Sequence, residues 1–268
     1  MTASTKRIDA GSRAHYEDPA YYDQTYKERT ADVGYYVATA LSYGGSVLEY
    51  GAGSGRMTLP LARNGMDVTA VDRSLPMLAQ LRRRLREEPI DVRDRVAIRR
   101  GDMRRMRVTS KFGLVFCGFN TALHLYTRVD VERFFARVRE HLRPAGRFVV
   151  DITPPNPVDL ARDPERAFYA GRLKHAGAGC IVKNHEYFDY DSASQVLNVS
   201  MVFTPIDAPE NAWVTPLTHR QFYPQEWLAL LHYNGFEVTR LEGGFAGESF
   251  SGDSDTMIVH ARVRKGFR

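Results

Sequence analysis

Ten residues, Val47-Leu48-Glu49-Tyr50-Gly51-Ala52-Gly53-Ser54-Gly55-Arg56, constrain this chain most, together with an acid at Asp72. A short apolar run meets a glycine cluster, and a second run, Val68-Thr69-Ala70-Val71, ends on the carboxylate. The pattern predicts a buried strand, a glycine turn, a helix start and a second strand tipped by the acid. Such a turn brings bare backbone against an adenosine-type ligand, and an acid about 20 residues on can accept both ribose hydroxyls. The glycine spacing narrows the choice. Dinucleotide folds use G-x-G-x-x-G, whereas here the spacing is G-x-G-x-G and Arg56 stands where the last glycine would pack helix on strand. No lysine follows to cradle a phosphate, so nothing in the loop is built to clamp a pyrophosphate.

With Glu49 ahead of the glycines, the stretch resembles motif I of the class I S-adenosylmethionine-dependent methyltransferases. Further segments extend the resemblance in order over residues 44–152, with a matching tail at 217–264. Val68-Thr69-Ala70-Val71-Asp72-Arg73-Ser74 is similar to the family's second strand with its ribose-binding acid. Gly101-Asp102-Met103 resembles the adenine-binding turn, Phe112 to Asn120 the fourth strand and active-site loop, and Leu142 to Arg147 the turn into the fifth. The resemblance implies S-adenosyl-L-methionine as cofactor and S-adenosyl-L-homocysteine as product. It implies an α/β fold: a doubly wound, mostly parallel seven-stranded sheet with N-terminal lid helices and an inserted antiparallel β cap after strand 5. The expected segments are a disordered 1–12, lid helices over 13–43, the cofactor-binding core over 44–152, a cap over 153–223, and a last helix with C-terminal strands over 224–268.

Site expectations follow residue by residue. Gly51, Ala52 and Gly53 would let the cofactor approach the backbone, and Asp72 would take the ribose. Asp102 would accept from the adenine amino group while the Met103 amide reaches a ring nitrogen. Arg73 and Met77 are candidate neighbours of the adenine, and Glu49 would orient the loop or reach the cofactor's amino group through water. Cys117 and Gly118 fall where the family lines the sulfonium, and Arg29 resembles a lid arginine that pairs with the cofactor carboxylate. Tyr21 would close over the cofactor; Tyr22, Tyr26, Phe119, Asn120 and Arg220 would meet the acceptor. His124 and His219 are the candidate bases. His185, Glu186 and Tyr187 are further polar groups of the cap.

Methyl transfer from a sulfonium is an in-line displacement that requires neither metal nor covalent intermediate, and orientation alone is worth about 7–11 kcal/mol. No metal is expected, because the fourth strand lacks the aspartate of metal-dependent catechol methyltransferases. Cys117-Gly118-Phe119-Asn120 also departs from the Asn/Asp-Pro-Pro-Tyr pattern of enzymes that methylate nucleic-acid amino groups. Net charge is +5, yet Arg far outnumbers Lys and the densest run, Arg82-Arg83-Arg84 with Arg86, is followed by Glu87-Glu88 and holds no stacking aromatics. A small-molecule acceptor, methylated on nitrogen or oxygen, is therefore expected over nucleic acid. A second copy of the chain is an expected partner through the cap. No apolar run of membrane-spanning length occurs, and the two cysteines suit a reducing, cytoplasmic setting. The rival readings are an RNA or protein methyltransferase, a non-catalytic cofactor-binding module, and a nicotinamide oxidoreductase, which Arg56 opposes.

Overall fold

The computed structural model describes residues 3–267. The chain divides into two compact units. One runs from the N-terminus to Glu28 and adds Pro155–Gln221; the other is Arg29–Pro154 with Phe222 onward. Among the described residues, three α-helices and a 3-10 turn (Ala14–Tyr16) precede the first strand: α1 (Ala3–Gly11), α2 (Pro19–Tyr26) and α3 (Ala31–Tyr43).

The larger unit then alternates β1 (Val47–Tyr50), α4 (Thr58–Arg63), β2 (Val68–Asp72), α5 (Leu75–Arg86), α6 (Ile90–Arg93), β3 (Val96–Arg100), β4 (Phe112–Cys117), α7 (Arg128–His141) and β5 (Leu142–Ile152). Helix α8 (Pro157–Leu160) and strands β6 (Phe168–Lys174), β7 (Ile181–Asp191), β8 (Val196–Pro205) and β9 (Trp213–Arg220) belong to the smaller unit. The chain returns to the larger one with α9 (Pro224–Tyr233), β10 (Phe236–Glu242) and β11 (Met257–Val263).

The seven-stranded sheet has the order β10-β11-β5-β4-β1-β2-β3. Strands β1 to β5 pair in parallel, and β11 runs antiparallel to both β5 and β10. Strand order reverses between β1 and β4, and in open α/β sheets a ligand crevice forms outside the carboxyl ends at that switch. The glycine turn, Asp72 and the Cys117–Asn120 loop all leave the sheet at those ends. This is the expected doubly wound fold.

Local chemistry fixes the elements. Strand β1 is buried along its whole length, as a central parallel strand requires. Ser74 caps α5 by accepting from the Met77 amide, with Pro76 in the first turn. A reciprocal Thr127–Asp130 capping box starts α7. One face of the sheet is packed by Phe134, Phe135, Phe148, Trp227 and Phe236, whose rings meet at 5.4–6.1 Å. On the other, Tyr36 of α3 stacks on Phe116 at 4.6 Å.

The smaller unit is an antiparallel sheet in the order β6-β7-β8-β9. Strand β6 was not foreseen, because Gly171 and a bulge after Tyr169 interrupt its alternation. The lid residues 13–43, expected to act as one segment, divide: Tyr21 of α2 packs with Val182, Met201 and Phe203, whereas α3 packs on the large sheet. Residues 3–11, expected to be disordered, are helical. Arg7 pairs with Asp189 at 2.5 Å, and Thr218 donates to the Ile8 carbonyl at 3.4 Å, which ties α1 to the sheet. The first two residues of that expectation lie outside the described residues.

Candidate active site

Strand β1 delivers the chain into a turn whose backbone is bent too sharply for ordinary side chains. Gly51 has φ of +77°, and a Cβ there would run into the Thr121 side chain. Its amide and that of Ala52 donate to the Val71 carbonyl, at 2.8 and 3.1 Å, which closes the turn against β2. At Gly53 a Cβ would stand 3.2 Å from the Met77 methyl, so Met77 floors the turn. The result is a half-buried cradle in which an added Cβ would press on Thr121 or Met77.

Asp72 sits beside that cradle. One carboxylate oxygen accepts from the Gly53 amide at 2.8 Å, the other from the Ser74 amide at 2.7 Å. Burial raises its pKa, against the opposing pull of those amides and of Arg73. Each oxygen keeps a lone pair, so the carboxylate could still accept two vicinal hydroxyls. Glu49 is 3% exposed and accepts from the Thr58 hydroxyl at 2.5 Å. Burial pushes its carboxyl up to about 8, opposed by Thr58 and Arg56. An arriving cation would restore its charge.

Asp102 follows β3 and is already paired. Arg104 donates to it from its amide at 2.9 Å and from its guanidinium at 2.5–3.1 Å, and also reaches Asp130 at 2.8 Å. Burial would raise the Asp102 carboxyl, but Arg104 outweighs it and holds it below the ordinary range. The charge of Arg73 acts on both Asp72 and Asp102. Met103 packs at the edge of the core.

The loop after β4 contains the sharpest backbone. Phe119 and Asn120 have φ of +53° and +62°, consecutive left-handed residues without a glycine. Such residues cost on the order of 1–3 kcal/mol each and persist only where neighbours impose them. Asp151, at the end of β5, accepts from the Phe119 amide with both oxygens, at 3.0 and 2.8 Å, and from the Tyr36 hydroxyl at 2.5 Å. Asn120 and Thr153 exchange hydrogen bonds, side chain to hydroxyl at 3.0 Å and amide to side chain at 2.7 Å. Burial pushes Asp151 up to about 6 and holds the buried Cys117 thiol well above its ordinary value. The Phe119 ring lies under two guanidiniums, Arg56 at 4.4 Å and Arg29 at 5.4 Å.

His124 follows in a 3-10 turn and hydrogen-bonds to the Tyr126 hydroxyl at 2.9 Å. Glu49, Gly51, Ala52, Gly53, Asp72, Arg73, Met77, Asp102, Met103, Cys117, Gly118, Phe119, Asn120, His124 and Arg29 thus all belong to the larger unit.

Eight foreseen residues, His185, Glu186 and Tyr187 of β7 among them, belong to the smaller unit. Tyr21 is 6% exposed and stacks on His175 at 4.3 Å, so its ring is core of that unit. Tyr22 and Tyr26 surround His15, with ring centroids 5.6 and 5.8 Å from it. Burial, with His15 nearby, lowers His219 to about 4. Arg220 reaches the Gln195 side chain at 2.5 Å.

Sequence reasoning did not find Asp32, Tyr36, Thr58, Thr121, Asp151 or Thr153. Each acts through a partner distant in sequence, and only Asp151, an acid closing an apolar strand as Asp72 does, carried a local signal. Among the described residues no group of three or more His, Cys, Asp and Glu could hold a metal ion, and no helix is long and apolar enough to cross a membrane. Both cysteines are unpaired.

Residues 47–146 match the methyltransferase domain family. The cypemycin N-terminal methyltransferase of Streptomyces sp is 26% identical over 222 residues, 81% of this chain and 82% of that protein. The CcbJ methyltransferase from Streptomyces caelestis shares the fold with a TM-score of 0.75 at 23% identity, over 92% of this chain and 99% of that one. The glycopeptide N-methyltransferase MtfA, also solved with S-adenosylmethionine and with S-adenosylhomocysteine, is 26% identical with a TM-score of 0.62, over 87% and 90% of the two chains. Five ordered motifs, the switch-point cradle and these similarities converge: the chain is a class I S-adenosylmethionine-dependent methyltransferase.

Proposed function

We propose that the enzyme methylates an amine nitrogen of a small metabolite, with oxygen as the second reading. The observation that carries nitrogen is that of two relatives at 26% identity, MtfA is named a glycopeptide N-methyltransferase and the cypemycin enzyme an N-terminal methyltransferase. The cradle fits the donor. Its bare backbone at Gly51 and Gly53, the remaining lone pairs of Asp72 and the buried Glu49 suit an uncharged edge, two ribose hydroxyls and an ammonium respectively. When bound, S-adenosylmethionine supplies a methyl carbon whose bond to sulfur breaks as the acceptor's nitrogen lone pair attacks.

The chain's own residues then have these roles in our reading. Gly51, Ala52 and Gly53 let the donor approach, Asp72 holds the ribose, and Asp102 with Met103 meets the adenine beside Arg73 and Met77. Because Arg104 already occupies part of Asp102, that carboxylate accepts from the adenine only with its remaining lone pairs. Arg29 pairs with the donor's carboxylate; Cys117, Gly118 and Phe119 wall the methyl. His219 and His124 are the candidate proton acceptors for the methylated nitrogen, and Arg220, Tyr22, Tyr26 and Asn120 are acceptor contacts. Burial of Tyr21 in the smaller unit's core favours a packing role for it.

The reading also comprises a cytoplasmic setting, supported by two unpaired thiols, a small-molecule acceptor rather than nucleic acid, and a second copy of the chain as partner through the cap. Light scattering on the purified protein tests the last of these. The acceptor is tested by incubating the enzyme and methyl-labelled cofactor with amino sugars, peptides bearing free N-termini, and hydroxyl analogues of each. Label in the amines alone supports nitrogen. Label in the hydroxyl analogues moves the acceptor to oxygen, and label only in RNA or protein overturns the small-molecule reading.

A further inference from the structure

The strained turn after β4 has a dedicated support that the donor-binding motifs do not explain. Asp151 is 3% exposed, lies outside the glycine cradle, and spends both carboxylate oxygens on the Phe119 amide. Phe119 is the residue that most resists its conformation, a bulky aromatic at φ +53°. Gly118 beside it is equally committed: a Cβ there would stand 3.2 Å from an Asp151 oxygen, 3.2 Å from the Tyr36 ring and 3.3 Å from the Met57 methyl. A side chain at residue 118 would therefore press on the carboxylate and its two neighbours, each of which would have to give by a few tenths of an ångström. Tyr36 completes the arrangement by donating its hydroxyl to the same carboxylate from α3.

We infer that Asp151 is a positioning residue for methyl transfer: it imposes the left-handed turn at Phe119–Asn120, and Tyr36 makes that turn depend on the docking of α3. The inference rests on the methyltransferase reading of the site. The amide of Phe119 cannot point at Asp151 unless the turn is formed, so this hydrogen bond is lost whenever the loop relaxes to an ordinary backbone. Relaxation would swing the Phe119 ring away from Arg29 and Arg56 and redirect the Gly118 and Asn120 backbone at the carboxyl end of β4. Helix α3 would carry the same consequence when undocked, because the Tyr36 hydroxyl leaves with it. The helix before the first strand and the loop after the fourth thus form one mechanical element, joined through a single acid on the fifth.

A double-mutant cycle on the full chain tests this, with the dissociation constant for S-adenosylmethionine read by calorimetry and folding by thermal melting. Asp151→Ala is expected to weaken binding about 30-fold, Asp151→Asn, which keeps an acceptor, about 3-fold, and Tyr36→Phe about 5-fold. Phe119→Gly removes the side chain that resists the turn. In that background Asp151→Ala is expected to cost under about 3-fold, because glycine adopts positive φ without penalty. Should Asp151→Ala fail to fold, the cycle is run with Tyr36→Phe against Phe119→Gly and the same shrinkage is expected. An equal loss in both backgrounds, or unchanged affinity in the folded single variants, overturns the positioning role. Absence of binding by the unmodified protein overturns the methyltransferase reading instead.

Discussion

Arg56 grips Asp32 through two parallel hydrogen bonds, Nη1 to Oδ1 at 2.8 Å and Nη2 to Oδ2 at 2.7 Å. The same guanidinium donates to the Arg29 carbonyl at 3.0 Å and covers the Phe119 ring. Arg56 thus occupies the place of a dinucleotide fold's last glycine and uses it to anchor the first turn of α3. The Asp32 side chain is 4% exposed, so breaking the pair strands a buried charge. Arg56→Ala is expected to destabilise the fold by about 3–5 kcal/mol, and Arg56→Met with Asp32→Leu to recover most of that. Urea unfolding measures both; a single variant within about 1 kcal/mol of wild type would show that the pair is solvated and idle.

Asp72 has two tasks, and they separate by experiment. Its oxygens hold the Gly53 and Ser74 amides, so Asp72→Ala should cost about 1–2 kcal/mol of stability. As the ribose acceptor it should also contribute about 3 kcal/mol to binding, or roughly a hundredfold in Kd for S-adenosylmethionine. Calorimetry at a temperature where the variant is folded checks this. A variant that loses stability and retains affinity would reduce Asp72 to a cap.

The parts of the fold legible in the sequence were those whose signal is local. Strand β1 with its glycines and the Ser74 cap each carry their information within a few residues, whereas the turn expected over Leu142 to Arg147 is already part of strand β5. The site's supports are not local. Asp32 finds Arg56 across 24 positions, Tyr36 finds Asp151 across 115, and Thr121 fits only because Gly51 lacks a side chain. The tyrosines of α2 and α3 were legible as helical but not by destination: Tyr21 and Tyr36 look alike in sequence, yet one stacks on His175 and the other on Phe116. Strand β6 was hidden because a bulge and Gly171 erase the period of two by which a strand is read.

Glu49 predicts a proton-linked binding signature. With its carboxyl raised to about 8, the ligand-free enzyme holds it mostly protonated at pH 7. A folded pKa above the unfolded value means that its stabilising contribution is complete below about pH 4.5 and is lost as pH rises through 8. Binding of the donor's ammonium reverses that preference, so roughly one proton should be released per cofactor at pH 7, and affinity should rise with pH between 6 and 7.5. Calorimetry in buffers of different ionisation enthalpy counts the proton. Glu49→Gln should abolish the release; an unchanged proton count in that variant would assign it to another group.

His15 and His219 carry the opposite sign. Burial lowers both to about 4, and each lies near the other in the smaller unit. Their unfolded forms titrate near 6.5, so their contribution to stability is present above that pH and is lost as pH falls toward 4. Wild type should lose stability between pH 7 and 4.5, and His15→Gln and His219→Gln should each lose less across the same interval, as read by urea unfolding at both pH values. At pH 7 His219 is neutral, and burial with His15 nearby opposes its protonation. If it serves the reaction, His219→Gln should lower turnover about 100-fold with the Kd for S-adenosylmethionine unchanged. Full turnover in that variant would leave the amine to lose its proton to water, with His219 a buried neutral ring of the cap.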